Sequence, residues 1–129
     1  METVPRFFRV ESQSFFLLGP RGTGKSTFVR VNFPDALYID LLQPDLFRSL
    51  LARPERLREM VHGNPGTPTI VLDEIQKVPQ LLDVVHALME EDRRRRFVLT
   101  GSSPRKLKRE GADMLGGRAL LKRMHPFVA

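Results

Sequence analysis

The sequence contains no cysteine. The chain therefore forms no disulfide, offers no thiolate nucleophile and holds no zinc ion through sulfur. Its apolar runs are short, and none approaches the roughly 18 residues of a membrane-spanning helix. The first ten residues include two arginines and lack the continuous apolar stretch of a signal peptide. We therefore expect no membrane segment and a cytoplasmic location.

Acidic residues are scarce in the last third of the chain. Residues 1–92 carry 10 Lys/Arg against 13 Asp/Glu, a net charge of −3, whereas residues 93–129 carry 11 against 2, a net charge of +9. Such a basic segment fits contact with nucleic acid, an acidic lipid surface or an acidic partner domain. The whole chain of 129 residues, 41% of them hydrophobic, is long enough for one domain with its own core.

Short apolar runs alternate with helical patterns along the chain. The predicted strands are 14–18, 36–40, 69–72, 97–100 and 118–124. The predicted helices are 25–31, 44–51, 54–61, 80–91 and 104–109. Strand–helix alternation is typical of βαβ units, which join parallel strands. We therefore predict an α/β fold with a mostly parallel sheet of about five strands, covered by helices on both faces.

A glycine-rich turn follows the first predicted strand and matches the phosphate-loop pattern G-x-x-x-x-G-K-[ST]. Its glycines allow the backbone to approach phosphate oxygens, and the helix that follows adds its positive N-terminus. The lysine supplies charge to the β- and γ-phosphates, and the serine offers a ligand to Mg²⁺. The predicted nucleotide-binding residues are Gly19, Pro20, Arg21, Gly22, Thr23, Gly24, Lys25, Ser26 and Thr27.

An acidic pair, Asp73 and Glu74, ends the third predicted strand. Ligands of parallel α/β sheets bind at the carboxyl ends of the strands. There Asp73 is expected to hold Mg²⁺ together with Ser26. Glu74 beside it is expected to orient and deprotonate an attacking water, the step that nucleotide hydrolysis needs. An acidic pair before a helix can also simply stabilise that helix.

The strings SFFLLGPRGTGKST, VLDEIQKVPQLLDVVHALMEE and RFVLTGSSPRKLKREGADMLGGRALLKRMHPF resemble AAA-type ATPases that join an AAA_14 module to a DUF4143 C-terminal domain. The resemblance extends from about Arg6 to Phe127 and implies a P-loop NTPase fold of the additional-strand type, a three-layer αβα sandwich. It implies that residues 19–26 are the Walker A motif and that Asp73 and Glu74 are the Walker B motif. It also implies a single module over residues 1–129, cut short before the family's C-terminal region.

The same resemblance implies two further catalytic residues. The strand ending at Thr100 would lie between the phosphate-loop strand and the Walker B strand, with a polar side chain at its end that senses the γ-phosphate. Ser102 is the first choice for this sensor and Thr100 the second; the alternative is an ordinary helix N-cap before Pro104. Arg118 matches the arginine of the family's Gly-Arg motif, which acts in cis or from a neighbouring subunit, unless it is a structural arginine.

The run of four arginines at residues 93–96 lies between a predicted helix and a predicted strand. We interpret it first as a solvated helix end that complements the helix dipole. Contact with nucleic acid is the second interpretation, although no aromatic residues interleave with the arginines as a stacking platform requires. A homo-oligomer or an absent C-terminal domain is the partner that the resemblance implies.

These observations lead to a Mg²⁺-dependent ATPase as the predicted function, with ATP and Mg²⁺ as ligands. The alternative is a nucleotide-dependent switch that hydrolyses little until another domain or subunit completes its site. A small-molecule kinase shares the phosphate loop, but the sequence shows no acceptor pocket and no arginine-bearing lid. No base-reading N-K-x-D string of a GTPase is present, which favours ATP without deciding the question.

Overall fold

The computed structural model describes residues 14–19, 24–102 and 119–123. Five strands and four α-helices are present in these residues, and one 3₁₀ turn, Ile75–Lys77, follows the third strand. The strands are β1 (Ser14–Leu18), β2 (Leu37–Asp40), β3 (Thr69–Asp73), β4 (Arg96–Gly101) and β5 (Ala119–Arg123). The helices are α1 (Lys25–Asn32), α2 (Pro44–Ala52), α3 (Arg56–His62) and α4 (Leu81–Glu91).

All five strands belong to one sheet, in the order β2-β3-β4-β1-β5, and every neighbouring pair is parallel. The predicted parallel α/β fold is therefore confirmed. Strand β4 lies between β1 and β3, as the resemblance implied. Because all strands run in one direction, their carboxyl ends lie at one edge of the sheet, which we call the carboxyl edge; the other is the amino edge.

The core has two parts, one on each face of the sheet, because side chains alternate between the faces along every strand. Along β1, Phe16 packs into a larger cluster with α2, α3 and α4, whereas Phe15 and Leu17 pack into a smaller cluster with α1. Val71 and Val98 lie in the smaller cluster. This division makes the molecule a three-layer αβα sandwich, as predicted. Residues an even number of positions from Val71 in β3 or from Val98 in β4 point to the face that α1 covers.

The structure shifts several predicted boundaries by one or two residues. α3 begins at Arg56 instead of Pro54, and β3 includes Asp73 as its last residue. The predicted helix 104–109 lies outside the described residues. No helix in the described part of the chain is both long and apolar enough to cross a membrane.

Candidate nucleotide site at the carboxyl edge

Three polar side chains point to the α1 face near the carboxyl edge. Asp73 follows Val71 by two positions in β3, and Thr100 follows Val98 by two positions in β4, so each shares the face of the smaller core cluster. Tyr38 in β2 packs against the same cluster. Because α1 covers this face, its first turn meets all three strands where β3 and β4 end.

Three hydroxyl groups from three elements surround the Asp73 carboxylate. Ser26 Oγ in α1 donates to Oδ2 at 2.8 Å, and the Tyr38 hydroxyl donates to the same oxygen at 2.5 Å. Thr100 Oγ1 donates to the other oxygen, Oδ1, at 2.5 Å. Asp73 is only 2% exposed, and these hydrogen bonds replace the ones to water that the carboxylate loses when it is buried. The carboxylate is therefore held in one orientation beside the first turn of α1.

Glu74 leaves the strand in a left-handed conformation, with φ 66° and ψ 52°. It is the one non-glycine residue of the described chain with a positive φ, a conformation that costs an ordinary residue about 1–3 kcal/mol. Its backbone N–H donates to Thr100 Oγ1 at 3.0 Å, which links the strained residue to the Asp73 cluster. Such strain persists where the surrounding structure enforces it, and it concentrates at functional sites.

The Glu74 carboxylate is held by two donors on a single oxygen. Ser102 Oγ donates to Oε1 at 3.1 Å, and Gln76 Nε2 donates to Oε1 as well as to Ser102 Oγ, the latter at 3.1 Å. The other oxygen of Glu74, Oε2, accepts no hydrogen bond from the described residues. The Gln76 carbonyl oxygen Oε1 is buried and has no hydrogen-bond partner in the described structure. An orphaned buried acceptor next to a carboxylate fits a bound donor such as water.

The lysine of the glycine-rich segment is buried, with 5% of its surface exposed. Its ammonium group donates to the carbonyl of Gly19 at 2.8 Å. Gly24, immediately before α1, has φ 84°, a left-handed conformation for which glycine is the favoured residue. The lysine ammonium and the N-terminus of α1 therefore lie together at the carboxyl end of β1, and both attract anions.

The environment of Tyr38 favours its neutral form. Partial burial raises the pKa of its phenol first, and the hydrogen bond to the Asp73 carboxylate raises it further. The Arg30 guanidinium opposes this shift; it lies over the tyrosine ring, 4.0 Å from the centroid. Tyr38 thus remains a proton donor to Asp73 at any physiological pH.

The donor set at this edge suits Mg²⁺. The Ser26 hydroxyl and the Asp73 carboxylate lie 2.8 Å apart and offer oxygen atoms, the ligands that Mg²⁺ prefers. No cluster of three or more His, Cys, Asp or Glu side chains that would form an all-protein metal site occurs in the part of the chain that the structure describes. A cation here would accordingly complete its coordination with water and ligand phosphates, as Mg²⁺ commonly does.

Most of the predicted site residues that the structure describes lie together. Gly19, Gly24, Lys25, Ser26, Asp73, Glu74 and Ser102 all lie at the carboxyl edge, and so does Thr100, the second choice for the sensor. Thr27 lies in the first turn of α1 and is exposed. Pro20, Arg21, Gly22, Thr23 and Arg118 lie outside the described residues.

Sequence reasoning did not single out two residues of this site, Tyr38 and Gln76. A single tyrosine in a predicted strand resembles an ordinary core residue. Gln76 had a possible signal, because it follows the acidic pair by two positions in a polar string.

The arginine run at residues 93–96 lies at the opposite, amino edge, where α4 ends and β4 begins. Arg94 contacts both carboxylate oxygens of Asp92 at 3.1 Å, and Arg95 contacts Glu91 at 2.5 Å. Arg96 is directed to Thr69 and lies over the Phe33 ring. Arg93 and Arg94 are exposed, as the interpretation of a solvated helix end requires, whereas Arg95 and Arg96 are partly buried and Arg96 already belongs to β4.

Comparison with known protein families identifies the family of the chain. The family model of the AAA domain designated AAA_14 matches residues 11–129. The chain therefore belongs to the AAA_14 family of AAA domains, and it is an AAA-type, nucleotide-binding module with a P-loop NTPase fold. No curated protein matches the chain.

Among solved structures, the crystal structure of the DnaC helicase loader has a similar fold. The two superpose with a TM-score of 0.59 at 15% sequence identity, over 89% of this chain and 80% of that chain. At this identity the likeness concerns the fold alone.

Proposed function

We propose that this chain binds ATP with Mg²⁺ at the carboxyl edge and hydrolyses the β–γ phosphoanhydride bond with water. The observation that carries this proposal is the contact between Ser26 and Asp73, 47 positions apart in sequence, beside the buried Lys25. It joins the phosphate-loop motif and the acidic pair in one site. Family membership supports nucleotide binding, and the arrangement of the carboxylates supports hydrolysis.

Lys25 and the N-terminus of α1 would bind the phosphates. The lysine ammonium lies at the loop, where it donates to the Gly19 carbonyl, and its flexible stem would let it turn to a phosphate oxygen. Ser26 and Asp73 would hold Mg²⁺, Asp73 through water. When bound, this ion neutralises the charge that develops on the phosphate oxygens.

Glu74 would accept the proton of the attacking water. Its Oε1 is occupied by Ser102 and Gln76, so Oε2 is the oxygen that remains for a water. The two donors and the left-handed backbone hold the carboxylate in a defined orientation, which is what a general base requires.

Arg118 would stabilise charge on the transferred phosphoryl group, either in its own subunit or from a neighbouring one. The match of the AAA domain model, which includes this residue, supports the role.

A nucleotide-dependent switch with little intrinsic hydrolysis is the second candidate. The observation that favours it is the engagement of Glu74 with Ser102 and Gln76, which would keep the base inactive until a partner rearranges the cluster. Nucleic acid would be an additional partner, compatible with either function.

Phosphate release from ATP, measured with and without Mg²⁺ over a range of protein concentrations, tests the proposal. We expect Mg²⁺-dependent turnover that rises per subunit with concentration. Lys25→Ala is expected to weaken ATP binding, because it removes the positive charge at the phosphates. Binding of ATP without turnover at any concentration would favour the switch, and ATP binding that Lys25→Ala leaves unchanged would contradict the site.

A further inference from the structure

Tyr38 is a residue of the site that the proposed hydrolysis does not use. Its hydroxyl lies 2.5 Å from Asp73 Oδ2, the oxygen that also accepts from Ser26. Its ring is fixed between the smaller core cluster and the Arg30 guanidinium, which lies 4.0 Å from the ring centroid. The ring is held on both sides, and its hydroxyl occupies an oxygen of the candidate metal-binding carboxylate. Tyr38 therefore affects whether Asp73 can accept another donor.

The acceptor positions of Asp73 are limited. A carboxylate oxygen has about two lone pairs for hydrogen bonds. Oδ2 uses them for Ser26 and Tyr38, while Oδ1 faces Thr100 within the sheet. Because Ser26 lies beside Oδ2, this is the oxygen that faces a cation bound to the serine. Any further donor to Oδ2 must therefore replace one of the two hydroxyls.

The two hydroxyls differ in how they respond to a cation. Ser26 can continue to donate to Asp73 while a lone pair of its oxygen binds the ion, so its hydrogen bond is compatible with metal binding. A water on Mg²⁺ has its lone pair directed to the ion and presents only hydrogens to the protein. Such a water needs the acceptor position on Oδ2 that Tyr38 holds.

We propose that Tyr38 occupies the position on Asp73 that a magnesium-bound water takes, and that its hydroxyl leaves Asp73 when Mg²⁺ and ATP bind. This inference rests on the proposed function. Tyr38 is then a positioning residue: it keeps Asp73 directed to Ser26 before the ligand binds, and it competes with the hydrated cation.

Fluorine NMR tests this displacement directly. The chain has one tyrosine, so incorporation of 3-fluorotyrosine labels position 38 alone and gives one resonance. We expect this resonance to shift when Mg²⁺ and a non-hydrolysable ATP analogue are added together. The analogue in excess EDTA is expected to leave it near its original position.

Calorimetry of Tyr38→Phe measures the competition. Loss of one net hydrogen bond corresponds to a several-fold change in affinity, so we expect Tyr38→Phe to bind the analogue with Mg²⁺ about threefold to tenfold more tightly. In EDTA its affinity should equal that of the unsubstituted chain. Ser49→Ala is the matched control, because it removes a hydroxyl of α2 that accepts from Arg56 of α3, away from the site. It should change neither affinity.

The outcomes separate this inference from the proposed function. If the unsubstituted chain binds the Mg²⁺–analogue complex but the fluorine resonance does not move, Tyr38 keeps its bond and the inference is wrong, while the proposed function stands. Equal or weaker Mg²⁺-dependent binding by a folded Tyr38→Phe also contradicts it. If the unsubstituted chain binds no analogue at all, the proposed function fails and the inference fails with it. Should Tyr38→Phe not fold, the fluorine measurement decides alone, because it retains the tyrosine.

Discussion

The two edges of the sheet hold their ionisable side chains in opposite settings. At the carboxyl edge, Asp73 and Glu74 are 2% and 6% exposed, and their partners come from strands and helices distant in sequence. At the amino edge, the Arg94 side chain is 89% exposed and its carboxylate partner, Asp92, is two positions away. Both edges contain carboxylates with short contacts, but only the carboxylates of the carboxyl edge are buried and have lost their contact with water.

The difference indicates which contacts matter for chemistry. Burial of an ionised group is costly unless hydrogen bonds replace its water, so the carboxyl-edge cluster must be fixed by its neighbours before any ligand arrives. Groups oriented in advance stabilise developing charge without reorganisation. Exposed pairs, by contrast, are screened by salt and restrain little. We therefore expect substitutions at the carboxyl edge to change function, and matched substitutions at the amino edge to change little.

Glu74→Gln should have the largest effect. The amide keeps the size of the side chain but cannot accept a proton, so we expect turnover to fall about a thousandfold while ATP binding remains. Glu91→Gln is the matched control at the amino edge, where the carboxylate contacts Arg95 and His62 in the open; its turnover should be unchanged. Steady-state phosphate release and nucleotide binding are the measurements. Turnover retained by Glu74→Gln would remove this residue from the mechanism.

Arg118→Ala tests whether this arginine serves the site of a neighbouring subunit. We expect turnover to fall about a thousandfold, which is the lower end of the range for catalytic arginines, and ATP binding to be retained. Mixing Arg118→Ala with Glu74→Gln should restore part of the activity, because the first variant keeps its base and the second supplies the arginine. The measurement is phosphate release of the mixture against each variant alone. A mixture no more active than its parts would argue against action in trans.

Thr100→Val should be the most destabilising change of a single hydroxyl. It removes the donor to Asp73 and the acceptor of the Glu74 N–H, both inside the fold, so we expect a loss of about 2–4 kcal/mol in the free energy of unfolding. Thr69→Val is the matched control in β3, where the hydroxyl accepts from the partly buried Arg96, and should cost about 1 kcal/mol or less. Urea unfolding of the two variants measures both values. Equal losses would mean that the two edges do not differ in how strongly they depend on their polar contacts.

Sequence reasoning could identify the site where short motifs carry the chemistry. The spacing of Gly19, Gly24 and Lys25 and the acidic pair after an apolar run each imply a position at the end of a parallel strand, and the structure has them there. The strand alternation likewise sufficed for the α/β fold. The place of β4 between β1 and β3 came from family resemblance, because periodicity does not order strands within a sheet.

The remaining features depend on three-dimensional neighbours. Tyr38 meets Asp73 only because β2 pairs with β3 in a register that puts both side chains on the α1 face. The left-handed backbone of Glu74 has no signal in the identity of the residue, since glutamate does not favour that conformation. The position of the Gln76 side chain depends on that turn, because the turn directs its amide back to the Glu74 carboxylate. Sequence patterns describe single elements, whereas these contacts depend on pairs of them.

Arg94→Ala should have the smallest effect. Side-chain and backbone hydrogen bonds from Arg94 lower the pKa of Asp92 below its usual 3.8, so removal of the guanidinium should raise that pKa part of the way back. A lowered pKa in the folded state stabilises the protein above the unfolded pKa, and this contribution is lost as pH falls through the folded value. The Arg94 side chain is 89% exposed and solvent screens the pair, so the stability change should be near experimental error at neutral pH and vanish in acid.

A carbon-detected NMR titration of Asp92 measures this shift. Arg93→Ala is its control, because Arg93 lies 4.0 Å from Glu90 instead. An unchanged pKa in Arg94→Ala would contradict the assigned contact. If Arg94→Ala also lowered turnover, the amino edge would take part in function, and the difference between the two edges would be one of exposure alone.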